Sequence, residues 1–316
     1  MKEPTVKEIQ EALERIKSFI HCTPVLTCST LNRMCDAKIF FKCENFQKAG
    51  AFKIRGATNA VFSLGNRKAS AGVATHSSGN HAAALALAAQ WRGIKAHVVM
   101  PENAPEVKRR AVAGYGANIV FCKPTLDARE ETLAKVLNDT GATPIHPYND
   151  HLVIAGQGTC ALEFCKEIQD LDVVVAPVGG GGLISGTAIA VSAVSPKTQI
   201  VAAEPQKADD AWRSLRAGRI IPAGNPDTIA DGLRTSLGDL TFPIIRRFVR
   251  EIVTVSEEAI IGAMRDIWER MKIIVEPSAA VPLGAALGKR SEFAGKRIGI
   301  ILSGGNLDLT RLPWVA

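Results

Sequence analysis

Aromatic residues are scarce in this sequence: 11 Phe, 4 Trp and 2 Tyr make up 5% of the chain. A nucleic-acid binder needs a recognised module or a basic stripe. Neither is present, although Lys+Arg 38 against Asp+Glu 31 gives a net charge of +7. No apolar run reaches the roughly 18 residues that a membrane helix requires. The opening Met-Lys-Glu-Pro-Thr has no apolar signal core, so export is not expected. No Cys-x-x-Cys occurs among Cys22, Cys28, Cys35, Cys43, Cys122, Cys160 and Cys165. The odd count of 7 fits neither a disulfide framework nor a zinc site. It points to a reducing compartment and a cytoplasmic protein. Ser/Pro-rich linkers, charge runs and repeats of 20–50 residues are also missing.

What is present reads as a soluble α/β chain. A hydrophobic fraction of 47% and a charged fraction of 22% are near the globular average. At 316 residues, one large α/β unit or two domains are expected. Thr5 can cap a helix with apolar positions Ile9, Leu13, Ile16 and Ile20. Apolar strands then alternate with helices. Strands are expected at 39–43, 72–76, 96–100, 118–122, 143–146, 173–177, 200–203 and 297–302. Helices are expected at 81–91, 106–113, 126–138, 153–168, 183–194 and 257–271. Such alternation predicts βαβ units and a mostly parallel sheet. Ligands bind beyond the carboxyl ends of these strands.

Three motifs fall at such ends. Gly179-Gly180-Gly181-Gly182 lies between a strand and a helix. Its successive N–H groups and the helix start suit a phosphate. No Lys follows it, so it is not a P-loop. Ser77-Ser78-Gly79-Asn80-His81 offers hydroxyls, an amide and N–H groups to a carboxylate, or serves as an ordinary helix cap. Ser303-Gly304-Gly305-Asn306 follows the last strand. A fourth feature is Lys53, flanked by Phe52 and Ile54. Withdrawal from water lowers a lysine pKa and makes the amine a nucleophile or Schiff-base partner.

Together these segments resemble the fold type II pyridoxal-phosphate enzymes of the serine racemase and serine/threonine dehydratase family. The likeness extends to Phe41–Lys48, Ala155-Gly156-Gln157-Gly158-Thr159, Ile229-Ala230-Asp231-Gly232 and Glu276-Pro277-Ser278. The resemblance implies two open, mostly parallel twisted sheets flanked by helices. Segments 1–48 and 146–316 would form a larger domain, and 49–145 a smaller, mobile one. It implies that Lys53 carries pyridoxal 5′-phosphate as a Schiff base. Phe52 and Asn80 would hold the ring, Gly179 to Gly182 the phosphate, and Ser303 the ring nitrogen. Ser77, Gly79 and His81 would receive the substrate carboxylate. A homodimer is implied as well.

Three details bear on the branch. Ser78 resembles the serine of racemases that lies on the face opposite the lysine, where a second proton-transfer group is needed. Glu204, Asp210 and the Ala208 carbonyl resemble a divalent-cation site for Mg²⁺ or Ca²⁺. Arg129 resembles an arginine near the substrate entrance, where it could pair with a second carboxylate. The activity implied is dehydration and deamination of small β-hydroxy amino acids, with serine racemisation on the same site. A threo-3-hydroxyaspartate ammonia-lyase is the alternative, and a catalytically silent cofactor-binding sensor is another. Ala82 and Ala83 stand where the family pattern usually has a Gln, so the resemblance leaves nucleotide activation open. Tyr148-Asn149-Asp150 looks more like the dehydratase loop. No regulatory extension is expected after residue 316.

Overall fold

The computed structural model describes residues 2–314. Its strands are β1 (Val25–Leu26), β2 (Lys38–Cys43), β3 (Val73–His76), β4 (Ala96–Pro101) and β5 (Asn118–Cys122), then β6 (Thr143–Pro144), β7 (Val173–Pro177), β8 (Gln199–Pro205), β9 (Glu251–Val255) and β10 (Arg297–Leu302). One sheet has the order β1-β2-β10-β7-β8-β9 and is parallel except for β1. The other, β5-β4-β3-β6, is parallel throughout. Helices cover the sheets, as the alternation predicts. No helix among the described residues is long and apolar enough to cross a membrane.

The central strands are apolar because both of their faces are covered. Val173 to Pro177 is buried at every position. On one face of the larger sheet, helices Glu257–Met271 and Pro277–Gly288 build a core with Phe41, Val175 and Ile300. On the other face, His151–Glu167 and Gly182–Val194 pack with Ile9, Val174 and Ile301. In the smaller sheet the Ala-rich helix Asn80–Arg92 is buried along most of its length. Small side chains let it approach neighbours on two sides.

Two expectations shift. The first helix, Val6–Ile16, begins with a full capping box between Thr5 and Glu8. It ends at Ile16, so Ile20 is buried from the loop that follows. The strand expected at 143–146 shortens to Thr143–Pro144, because Pro144 and Pro147 limit further pairing.

The lysine-bearing helix, Lys53–Ser63, lies between the two halves. It packs on Asn80–Arg92 of one half and on His151–Glu167 of the other. A buried charge quartet fixes its first turn. Arg55 Nε donates to Glu44 at 2.7 Å, and its Nη2 donates to Glu163 at 2.7 Å. Lys42 Nζ meets Glu163 at 2.9 Å. Lys42, Glu44 and Arg55 are fully buried. Burial opposes each charge, but the opposite charges win. Glu44 stays below its usual pKa, while Lys42 and Arg55 stay above theirs. Removing one partner from such a cluster costs about 3–5 kcal/mol, since it strands a buried charge. Gly56 and Gly156 bring the two helices close: a Cβ at Gly156 would lie 2.6 Å from the Gly56 Cα.

Candidate active site

The motifs converge where strands end. The β10 end is joined to the segment before the lysine helix: Phe52 N donates to Ser303 O at 3.0 Å, and Ala51 pairs with Gly304. This sets Lys53 beside Ser303. Lys53 Nζ donates to Pro147 O at 2.8 Å and lies 5.2 Å from the Phe52 ring centroid. Burial brings its pKa down to about 8, against the pull of the Glu276 carboxylate. The amine is therefore partly neutral near physiological pH, as a nucleophile requires.

Tyr148, the residue after Pro147, lies against the glycine loop. A Cβ on Gly180 would collide with the Tyr148 ring, and one on Gly182 would lie 2.9 Å from Tyr148 Cβ. Gly181 has φ +90, which glycine adopts without strain. Gly180, Gly181 and Gly182 are buried. Among the described residues, none of the four glycine N–H groups has an acceptor. Buried unpaired donors at a helix start are costly unless an anion fills the place. The loop, the nearby lysine and the Ser303 hydroxyl fit pyridoxal phosphate.

The Ser77–His81 segment leaves β3 and enters helix Asn80–Arg92. Ser77 N donates to Val99 O, and Ser77 Oγ accepts from Gly79 N at 3.4 Å. The cap position falls on Gly79, and no side chain caps the helix. Ser78 is half-buried, and its hydroxyl is not spent on capping. Among the described residues, the N–H groups of Ser78, Asn80 and His81 also have no acceptor. The His81 side chain is buried and turned to Ile145 O at 3.2 Å. Burial holds its pKa well below the usual value, so the ring is neutral. A carboxylate would thus meet the backbone of His81.

Sequence reasoning assigned no role to Glu276, Asn306 or His146. Glu276 is buried and accepts from Asn80 Nδ2 at 2.9 Å and 3.1 Å. His146 Nδ1 accepts from Asn149 N at 2.9 Å, and the ring lies edge-on to Tyr148 at 4.6 Å. Burial, with the charges of His76 and Lys53, takes His146 to about 4. Glu276 stood inside a motif that was noted, and the Pro after it was the available signal of a helix start.

Two further expected sites make no side-chain hydrogen bond to this cluster among the described residues. Arg129 lies on helix Leu126–Thr140, and its buried Nε has no partner among the described residues. It bears on the cluster through His76, whose ring lies 6.3 Å from His146. Glu204, at the end of β8, is buried and accepts from Ala211 N at 3.2 Å and Trp212 N at 2.6 Å. Asp210 is buried nearby with Oδ2 unpartnered, and Ala208 is buried in the turn between them. Burial, with the charges of Asp210 and Asp209, raises Glu204 to about 8; burial, with the charge of Asp209, raises Asp210 to about 7. Among the described residues, no group of three or more His, Cys, Asp or Glu could hold a metal ion. Any cation here would therefore use two carboxylates and the backbone.

Comparison with known proteins agrees with this geometry. Residues 16–304 match the family model described as pyridoxal-phosphate dependent enzyme. A beta-hydroxyaspartate dehydratase from Paracoccus denitrificans is 53% identical over 311 residues, covering 98% of this chain and 99% of its own. A serine racemase from Dictyostelium discoideum is 49% identical, covering 98% and 96%. The structure of maize serine racemase superposes with TM-score 0.96 at 47% identity, covering 98% and 95%. The free-donor glycine loop, the buried amine beside it and these likenesses lead to one conclusion: the chain belongs to the pyridoxal-phosphate-dependent enzyme family, with the type II fold.

Proposed function

We propose that this enzyme eliminates water from small β-hydroxy amino acids, giving a 2-oxo acid and ammonia, and that it racemises serine on the same site. One observation carries the reading. The two-residue stretch Pro147-Tyr148 takes the Lys53 amine on its carbonyl and lays a ring on the phosphate loop. Amine and phosphate site are thus held a fixed distance apart. Bound pyridoxal phosphate supplies an electron sink that acidifies the α-carbon. Lys53 Nζ, with its pKa near 8, takes and returns the proton on its own face. Ser78 Oγ, free of capping duty, is the proton-transfer atom for the other face. The free N–H groups of Ser78, Asn80 and His81 receive the carboxylate. The halves built on the two sheets close over substrate as a larger and a smaller domain.

A second reading has its own support. Among the described residues, the buried Nε of Arg129 has no partner. A substrate with a second carboxylate would satisfy it, so L-threo-3-hydroxyaspartate is a candidate. The relative named a beta-hydroxyaspartate dehydratase supports this choice. We further propose that Glu204, Asp210 and the Ala208 carbonyl hold Mg²⁺ or Ca²⁺. Two buried carboxylates with a spare oxygen favour a cation. Homodimer formation rests on the resemblance. A cytoplasmic setting rests on the seven free cysteines.

Ammonia release from L-serine, L-threonine and L-threo-3-hydroxyaspartate tests the whole reading, alongside conversion between L- and D-serine. Release from none of the three would sink it. A preference for the dicarboxylate that disappears in Arg129→Ala would establish the second reading over the first.

A further inference from the structure

Glu276 and Asn306 surround Asn80 from the opposite half of the molecule. The Glu276 carboxylate takes Asn80 Nδ2 on both oxygens, at 2.9 Å and 3.1 Å. Its Oε2 also accepts from Asn306 N at 3.1 Å. Asn306 Nδ2 donates to Asn80 Oδ1 at 3.1 Å and to Ala49 O at 2.7 Å. Both ends of the Asn80 amide are therefore held, and the amide cannot flip without losing them. The backbone is pressed close around this arrangement. A Cβ on Gly304 would lie 2.8 Å from Glu276 Oε1, and one on Gly50 would collide with the Asn306 side chain. Glu276 is only 3% exposed, so no water competes for its oxygens.

We propose that Glu276 is a positioning residue that sets the Asn80 amide against the bound cofactor. Burial, with the nearby Asp231 charge, pushes the Glu276 carboxyl up to about 7; above that pH it is ionised, accepts but cannot donate, and so selects the amino end of the amide. The Oδ1 end is then left to Asn306. The held amide presents its remaining hydrogen-bonding capacity in one orientation, which is what a fixed ring contact needs. A glutamine at 276 could not do the same. Its amino end would face either Asn80 Nδ2 or Asn306 N, donor against donor. Proximity to Lys53 gives Glu276 a second effect, since its charge favours the protonated amine.

The proposal rests on the reading of Asn80 as a ring contact, and a double-mutant cycle separates the two. Wild type, Asn80→Ala, Glu276→Gln and the double variant are compared by pyridoxal-phosphate affinity of the apoenzyme and by the visible absorbance of the holoenzyme. Each single change should weaken affinity about tenfold and shift the absorbance in the same direction. The double variant should be no more than about twofold weaker than Asn80→Ala. Losses that multiply, to about a hundredfold, would overturn the role of Glu276. Unchanged affinity in Asn80→Ala would overturn the reading of Asn80 instead. Glu276→Asp keeps the acceptor-only chemistry and should recover part of the affinity. If Glu276→Gln does not fold, as judged by circular dichroism, Glu276→Asp takes its place in the cycle, with the same criterion of additivity.

Discussion

Lys108, on helix Glu106–Gly114 of the half built on the smaller sheet, forms an ion pair with Asp231 of the other half. Asp231 opens a 3-10 turn, Asp231–Leu233, that presses on the phosphate loop: a Cβ on Gly179 would lie 2.9 Å from Leu233 Cα. The Lys108 side chain is 20% exposed and that of Asp231 40%. Such a pair is worth about 0–1 kcal/mol and is screened by salt.

The pair should therefore behave as a weak cross-cleft tie. Lys108→Glu should raise KM by roughly twofold to fivefold and reverse its dependence on ionic strength, since salt then screens a repulsion. The swap Lys108→Glu with Asp231→Lys should restore both. A swap no better than the single variant would show that the pair has no part in closure.

Cofactor capture should follow the ionisation of Lys53. The neutral amine attacks, and its pKa is lowered to about 8. The rate at which apoenzyme takes up pyridoxal phosphate should thus climb through pH 8 and level off above it. An unperturbed lysine would climb only near about pH 10.4. Stopped-flow absorbance reads this directly. The same shift acts on stability. Between pH 8 and about 10.4 the unfolded chain binds the extra proton, so this group's contribution rises with pH across that window.

Gly180→Ala should damage phosphate binding through Tyr148 rather than through the backbone of residue 180. The added methyl collides with the Tyr148 ring, and Tyr148 follows the carbonyl that holds Lys53. Affinity for pyridoxal phosphate should drop about tenfold or more, with an overpacking cost of about 1–3 kcal/mol. Tyr148→Ala in the same chain should give part of it back. No recovery in the double variant would locate the damage in the loop itself.

Divalent cations should stabilise the protein, and more so at higher pH. Glu204 and Asp210 hold protons up to about 8 and about 7, and a cation must displace them. At a hundredfold excess over Kd, Mg²⁺ or Ca²⁺ should add about 2.7 kcal/mol. Thermal unfolding at pH 6.5 and 8.5 checks the trend. Equal stabilisation of wild type and Asp210→Asn would count against the site.

Much of this was legible in the chain. Strands 118–122, 173–177 and 297–302 and helix 257–271 appear with the expected bounds, because local apolar patterning and caps decide them. β9 was missed: Glu251 and Thr254 interrupt its apolar pattern at an edge of the sheet. Helix Pro277–Gly288 was missed because Pro282 sits inside it and its surface is apolar all round. At the site, two of the four motifs were visible as strand–helix junctions, the third as a turn after the last strand, and Lys53 by its apolar neighbours. What joins them was not. The Lys53–Pro147 contact spans 94 positions and the Asn80–Glu276 contact spans 196. Pairings of that range depend on the packed fold and leave no local pattern. Pro147 contributes only a carbonyl, which every residue has.

The order of the larger sheet has a consequence for how the molecule is made. β10, residues 297–302, lies between β2 and β7. The middle strand of the sheet is thus made after the five strands around it. Until it arrives, β2 and β7 carry facing edges with no partner, and Ser303 has no strand to place it beside Phe52. A nascent chain can complete the smaller sheet early, since β3 to β6 fall within 73–144. The larger half must wait, with apolar strands open to other chains. Synthesis and catalysis are in this way ordered: the lysine is made early, but its pocket closes only with the final strand.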